Sequence, residues 1–464
     1  MALLTSRAKR IVNGNPDTTG LGYRPRRNEV RRIAFGDAAS RGVALRPVAM
    51  IPIPYALDTL NFLAADVRNL FGPFVNVFLV TDQHWSQTDI GLVTTGSGLL
   101  GIAFQTPIGA AIDVTRAKRG VIVLTMAAMI AAAAIIFVAP TFWVMAIALS
   151  VLGVAGDAFA PAVSALTLGL VTRDKLARRL GRNSAFDHGG NITIALLAGA
   201  VGYAFSQRAV FLMVPVFALL ASAAVLAIPP DAINHDRARD LAADGEAQGS
   251  AAGYRVLFEK RPLMIFAFCA FLFHFANAPL LPLVGQKLAL QFPQEATAMM
   301  SFCMVAAQGV MLPIAILAGR NTDAWGRRPL FLVAFAVLPI RAALYPLLDN
   351  AFWLIGLQLL DGIGAGIYQA LTPLIISDIM RGTGRFNLAQ GAVATTMGIG
   401  ASVSALAAGV SVDHFGYSVS FLALGVAAAV AFLVFFGFMP ETRDEEAIKQ
   451  KPQPRAIEGA AAGE

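Results

Sequence analysis

The sequence predicts an all-α integral membrane protein whose twelve transmembrane helices form two pseudo-symmetric six-helix bundles. Three observations carry that expectation. Hydrophobic residues make up 56% of the 464-residue chain and charged residues only 14%, against about 25% charged in soluble chains. Apolar runs of spanning length recur, separated by short polar breaks. Short sequences of the first half return in the second at a constant offset.

A spanning helix needs about 20 mostly apolar residues. Such runs lie at 56–80, 89–112, 120–139, 142–171, 184–206 and 209–228, then at 262–287, 295–318, 329–348, 352–380, 388–412 and 416–439. In lipid, backbone groups must be satisfied within their own segment, so each run reads as a helix. The 42 glycines and 24 prolines fit this, because both are commoner in membrane helices than in soluble ones.

The runs divide the chain. Residues 1–55 read as a mobile, solvated cytoplasmic tail; the first fifty hold ten basic residues and no long apolar core, unlike a signal peptide. Residues 56–228 form the first bundle and 262–439 the second. Between them, 229–261 is polar and Ala/Gly-rich and reads as a central linker, with room for a short interfacial helix at 254–258. Residues 440–464 form a C-terminal tail.

Orientation follows from the basic residues. Of the 36 Lys and Arg residues, 32 fall in the two tails, the central linker and alternate turns. This asymmetry puts both termini in the cytoplasm of a multi-pass inner-membrane protein. The formal net charge of +7 is thereby a topological signal, and no nucleic-acid partner is expected. Cys269 and Cys303 lie in apolar runs, so no disulfide framework or metal site is implied.

The repeat is visible in two places. Gly109–Asp113 matches Gly319–Asp323, and Phe142-Trp143 matches Phe352-Trp353, both at an offset of 210 residues. Two similar bundles are what alternating access around a shared site requires.

The stretch Gly319-Arg-Asn-Thr-Asp323-Ala-Trp-Gly326-Arg327-Arg328 resembles the loop signature G-x-x-x-D-x-x-G-R-[KR] of the major facilitator superfamily. The first-half copy keeps Gly109, Asp113, Lys118 and Arg119 but has Arg116 where the second glycine belongs. The resemblance covers all twelve spans. It implies a secondary transporter working by alternating access, with contacts that close the cytoplasmic side. That role comes to Asp113, Asp323, Arg327 and Arg328, and to Arg119. A carboxylate at a helix end can also accept from a neighbouring helix N-terminus. Asp187 and His188, read as one turn into span five, join this gate set.

Two departures weigh against a proton-coupled drug antiporter. The R-x-x-x-G pattern of span four is replaced by Ser150-Val-Leu-Gly153. The G-P-x-x-G-G pattern of span five has no counterpart at Asp187–Asn191.

Ionisable residues inside spans are costly and mark function. Asp66 and Arg68 lie in span one, Asp157 in span four, His274 in span seven and Asp361 in span ten. The resemblance implies that these four spans line the central cavity. The expected partners are therefore a small-molecule substrate, protons and the bilayer. The sequence does not choose which of Asp66, Asp157 and Asp361 carries the proton. Arg341, toward the outer side of span nine, is expected either to snorkel or to pair with Asp349.

No P-loop and no H-E-x-x-H pattern occurs, so neither enzymatic chemistry nor a cofactor or metal is expected. A monomer exporting a small organic solute is the first reading. Transport of an organic anion or metal chelate, prompted by Arg68, is the second. A non-transporting membrane sensor or assembly factor on the same fold is the third.

Overall fold

The computed structural model describes residues 52–69, 72–235, 251–381, 383 and 385–443, excluding the side chains of 66–69, 113, 114, 173, 174, 177 and 251–254. Among the described residues every regular element is helical. The first half contains α1 (Ile53–Asn69), α2 (Pro73–Thr81), α3 (Gln87–Val114), α4 (Lys118–Val138), α5 (Phe142–Leu170) and α6 (Arg173–Ala204). It ends with a 3₁₀ turn, Arg208–Leu212, leading into α7 (Met213–Leu226). The linker carries α8 (Ala251–Glu259). The second half contains α9 (Arg261–Asn277), α10 (Leu280–Gln291), α11 (Ala296–Trp325), α12 (Arg327–Leu344), α13 (Ala351–Gly356), α14 (Gln358–Ile379) and α15 (Phe386–Phe438).

Among the described residues, each predicted span contains helix, with 56–80, 209–228, 262–287 and 352–380 each divided between two helical elements. Seven stretches are long and apolar enough by themselves to cross a membrane. One of them, α15, has 53 residues, about 80 Å at 1.5 Å per residue. That is more than twice the roughly 30 Å hydrocarbon core, so α15 must turn back. It does so at Gly416, whose φ of 78° is open to glycine without a Cβ penalty.

Span five differs from its predicted bounds. It was expected to begin at residue 184, but α6 already begins at Arg173 and runs for 32 residues. Its basic first turns continue the helix outside the apolar layer, where hydropathy carries no helical signal. The predicted linker holds the helix α8 over and beyond 254–258. The predicted tails, apart from 52–55 and 440–443, lie outside the described residues.

Buried apolar side chains gather into two clusters. One draws almost entirely on residues 56–233, and the other spans 257–439. Large apolar side chains such as Leu124, Trp143, Phe205, Phe352 and Val426 stay exposed, as a lipid-facing surface requires. The glycine run of α14 serves close packing: a Cβ at Gly362 would lie 2.4 Å from the Ala307 carbonyl oxygen, and one at Gly366 2.5 Å from that of Met311. Small residues of this kind let membrane helices approach at backbone distance.

Contacts gather residues 81–87, 207–208, 293 and 413 at one end of the molecule; the end with the arginine-rich turns is the basic end and the other the opposite end. The halves meet along three seams: α3 with α15, α6 with α11, and α2 with α10.

Candidate substrate and coupling site

The polar groups between the helices start from spacing. In α9, Phe273, His274 and Asn277 lie within one turn; in α14, Tyr368, Gln369 and Thr372 do the same. These faces border a cavity of about 340 Å³ in the second half. Its walls are aromatic. The Phe273 and Tyr368 rings stack at 4.6 Å, and His274 meets Tyr368 edge-on at 5.0 Å. His274 Nδ1 lies 3.0 Å from the Ala270 carbonyl oxygen. A carbonyl only accepts, so Nδ1 carries the proton and Nε2 is the nitrogen left for a ligand. The Tyr368 hydroxyl is buried without a hydrogen-bond partner among the described residues.

Asn277 connects this cavity to a buried ion pair. Arg341 on α12, 1% exposed, forms a salt bridge with Asp361 on α14. Its Nη2 also donates to Asn277 Oδ1 at 2.6 Å, and its guanidinium lies 5.9 Å from the Tyr345 ring centre. Arg341 was expected to snorkel or to pair with Asp349, and it does neither. Asp349 pairs instead with Lys287, because Arg341 points inward toward α14 rather than along the membrane surface.

The first half handles its acid differently. Asp157, at mid-α5, has no hydrogen bond or ion pair among the described residues. Its carboxylate lies against α3 where Gly101 has no side chain; a Cβ there would sit 2.7 Å from Asp157 Oδ2. The Asp66 and Arg68 side chains lie outside the described residues.

Asp187 and His188 stand at the middle of α6, not one turn from its basic end. His188 reaches across the α6–α11 seam, with Nδ1 3.2 Å from Gln308 Oε1. Asp187 accepts from Asn191 Nδ2 at 3.3 Å.

The second-half loop signature forms a compact knot. Arg327 donates to Asp323 at 2.9 Å and to Asp378 at 3.0 Å. Arg328 donates to the Phe436 carbonyl at 2.6 Å. Glu441 accepts from the backbone N–H groups of Arg327 and Arg328, at 3.0 and 3.1 Å. Just before them Gly326 has φ 88°, and a Cβ there would meet Glu441 Oε2 at 2.7 Å. In the first half, Arg119 donates to the Leu226 carbonyl at 2.7 Å, while the Asp113 side chain lies outside the described residues. The acids that meet Arg327 belong to its own half, not the facing one.

Sequence reasoning passed over Asp58. It is buried at the basic end of α1 and pairs with Arg179 at 2.7 Å and Arg182 at 2.6 Å on α6. The available signal was a third ionisable residue in span one, beside Asp66 and Arg68; its partners lie 121 and 124 residues along the chain.

Comparison with known proteins agrees with this architecture. The family model described as Major Facilitator Superfamily matches residues 57–337 and 263–460. An uncharacterized MFS-type transporter of Mycobacterium tuberculosis, found in two strains, is 46% identical over 408 residues, covering 87% of this chain and 98% of its own. The solved nucleoside transporter NupG superposes with a TM-score of 0.68 at 13% identity, covering 84% of this chain and 100% of its own. A D-xylose-proton symporter superposes with a TM-score of 0.65 at 13% identity, over 84% of this chain and 98% of its own.

Proposed function

The chain belongs to the major facilitator superfamily and is a membrane transporter, and we propose that it couples movement of a small neutral polar solute to protons carried by Asp157. The single observation behind this reading is the contrast between the acids. Asp361 is matched by Arg341, whereas Asp157 has no partner among the described residues. An unmatched carboxylate in a low-dielectric setting is the group whose charge state changes most readily with its surroundings.

The solute class follows from the cavity. Its described lining offers His274 Nε2, Asn277, Gln369 and Thr372 beside stacked aromatic rings. The nearby cation, Arg341, is already neutralised by Asp361. Such a lining suits a ring-bearing solute with hydrogen-bonding groups and no net charge. Alternating access moves it as the halves part along the seams.

The test uses purified full-length protein. A melting screen with pooled neutral ring compounds, organic anions with metal chelates, and lipophilic cations identifies a ligand, because preferential binding to the folded state raises the melting temperature. That ligand is then followed in proteoliposomes under an imposed pH gradient. Asp157→Asn is expected to lose gradient-driven accumulation and retain solute exchange, at a melting temperature close to the parent's. Normal concentrative transport by this variant removes Asp157 from coupling. A melting shift from anions, lost in Arg68→Ala, would replace the neutral-solute reading with an anion carrier. The sign of the gradient that drives accumulation gives the direction.

A further inference from the structure

At the opposite end of the molecule, α3 begins in a way that involves both halves. The first N–H groups of a helix have no acceptor within it. The Asp89 N–H donates to Ser86 Oγ at 3.0 Å. The two N–H groups before it are satisfied from the other half. Gln87 N donates to Asp413 Oδ1 at 3.1 Å, and Thr88 N to Asp413 Oδ2 at 2.7 Å. Thr88 Oγ1 donates to the same oxygen at 2.6 Å, and Gln87 Nε2 to the Tyr417 hydroxyl at 3.2 Å. The α3 dipole adds to the attraction, because a helix N-terminus favours negative charge.

The backbones are shaped for this approach. One turn before Asp413, a Cβ at Gly409 would lie 2.2 Å from the Gln87 carbonyl oxygen. One turn into α3, a Cβ at Gly91 would lie 2.5 Å from that of Ala405. Deeper on the same seam, Thr95 Oγ1 donates to the Ser402 carbonyl at 2.6 Å and accepts from Leu406 N at 3.1 Å.

The basic end is built otherwise. The ion pairs there among the described residues, Asp58 with Arg179 and Arg182, Arg327 with Asp323 and Asp378, and Arg381 with Asp378, each stay within one half, and Arg255 pairs with Glu259 inside the linker helix. Among the described residues, the Asp413 contact is the one cross-half contact that carries a charge. Among the described residues, charge thus ties the halves together at the opposite end.

We infer that Asp413 is a gate residue of this transporter: its carboxylate, by capping α3 across the seam, holds the opposite end closed, and opening there requires that cap to break. This rests on the alternating-access reading above. Asp413 lies just outside an apolar run, yet the sequence carried a signal for it: Gly409, Asp413 and Gly416 repeat the G-x-x-x-D-x-x-G spacing of Gly319, Asp323 and Gly326.

The experiment measures the gap directly. Spin labels go on Thr141→Cys in the first half and Phe415→Cys in the second; both positions are exposed at the opposite end. Cys269 and Cys303 are buried, so background labelling is low. Distance distributions are recorded by double electron–electron resonance for the labelled parent and for Asp413→Ala, Asp413→Asn and Thr88→Val. Loss of a helix cap should raise the ratio of long to short distances several-fold, up to about tenfold, in Asp413→Ala. Asp413→Asn and Thr88→Val, which each keep part of the cap, should raise it less. Unchanged distributions in Asp413→Ala and Asp413→Asn, in protein that melts like the parent, would overturn the inference. A moved distribution in a protein that transports nothing would leave the gate standing and sink the transport reading. Normal transport with unmoved distances would do the reverse.

Discussion

The two halves share a helical plan but treat the acid in the middle of a span in opposite ways. In the second half, Asp361 is fixed by Arg341, and Arg341 is tied in turn to Asn277. The loop at its basic end is likewise closed, with Arg327, Asp323, Asp378 and Glu441 in mutual contact. In the first half, Asp157 rests against a glycine with no partner among the described residues. In the first-half loop, Lys118 and Arg119 donate to the carbonyls of Ile112 and Leu226. At mid-span, the second half thus carries its acid as structure, as the first half does only at the end of α1 with Asp58, while Asp157 carries charge as a changeable quantity. A rocking transporter needs both, because a proton can only drive a transition if its site is not already neutralised in place.

The contrast breaks most sharply at Arg341. Arg341→Met leaves Asp361 buried without its cation, which costs about 3–5 kcal/mol when one member of a buried pair is removed. A large fall in melting temperature is expected, and Arg341→Met with Asp361→Leu should recover most of it. A single variant that melts like the parent would show the pair to be no structural anchor.

The other half is probed by Gly101→Ala. The added Cβ meets the free end of the Asp157 side chain, not backbone, so about 1 kcal/mol of overpacking is expected, at the low end of the usual range. The sharper readout is transport against pH, whose midpoint should move as the Asp157 carboxylate is displaced. An unmoved midpoint would separate Gly101 from the coupling acid.

The smallest expected effect is at the gate. Burial by itself raises the Asp413 carboxyl. The hydroxyl and N–H of Thr88, the N–H of Gln87 and the neighbouring His414 outweigh it, holding the group below its usual value of 3.8. A depressed carboxyl stabilises its contact above the unfolded value and loses it only as pH falls through the folded one. The titratable neighbours are Asp89 on α3 and His414 and Tyr417 on α15. The spin-label distances should therefore be constant between about pH 5 and 8. A distance change within that window would mean that the gate itself responds to protons and that Asp157 does not act alone.

Several features were legible before any coordinates. Apolar length located the helices, since a bilayer imposes one span length on every segment. The Gly319–Arg328 stretch announced the knot that Arg327 and Asp323 form. The cost of burying charge marked Asp157, His274 and Asp361 as positions of interest. Other features were hidden. Asp58 and Arg179 are 121 residues apart, His188 and Gln308 are 120 apart, and Thr88 and Asp413 are 325 apart. Spacing within a helix says nothing about such pairs. The bounds of α6 were misjudged for a related reason: its basic turns are helical because the helix continues into them, not because they are apolar.

The sequence by itself determined the class, the repeat and the family, because hydropathy, charge asymmetry and a loop motif are local properties of the chain. Only the tertiary structure decided which acids are matched. Asp361 and Asp157 look alike as lone acids in apolar runs. One faces a cation delivered by α12, the other a glycine on α3. That difference is set by which helix packs alongside, and helix packing is settled by shape complementarity across the whole bundle rather than by any short stretch of residues.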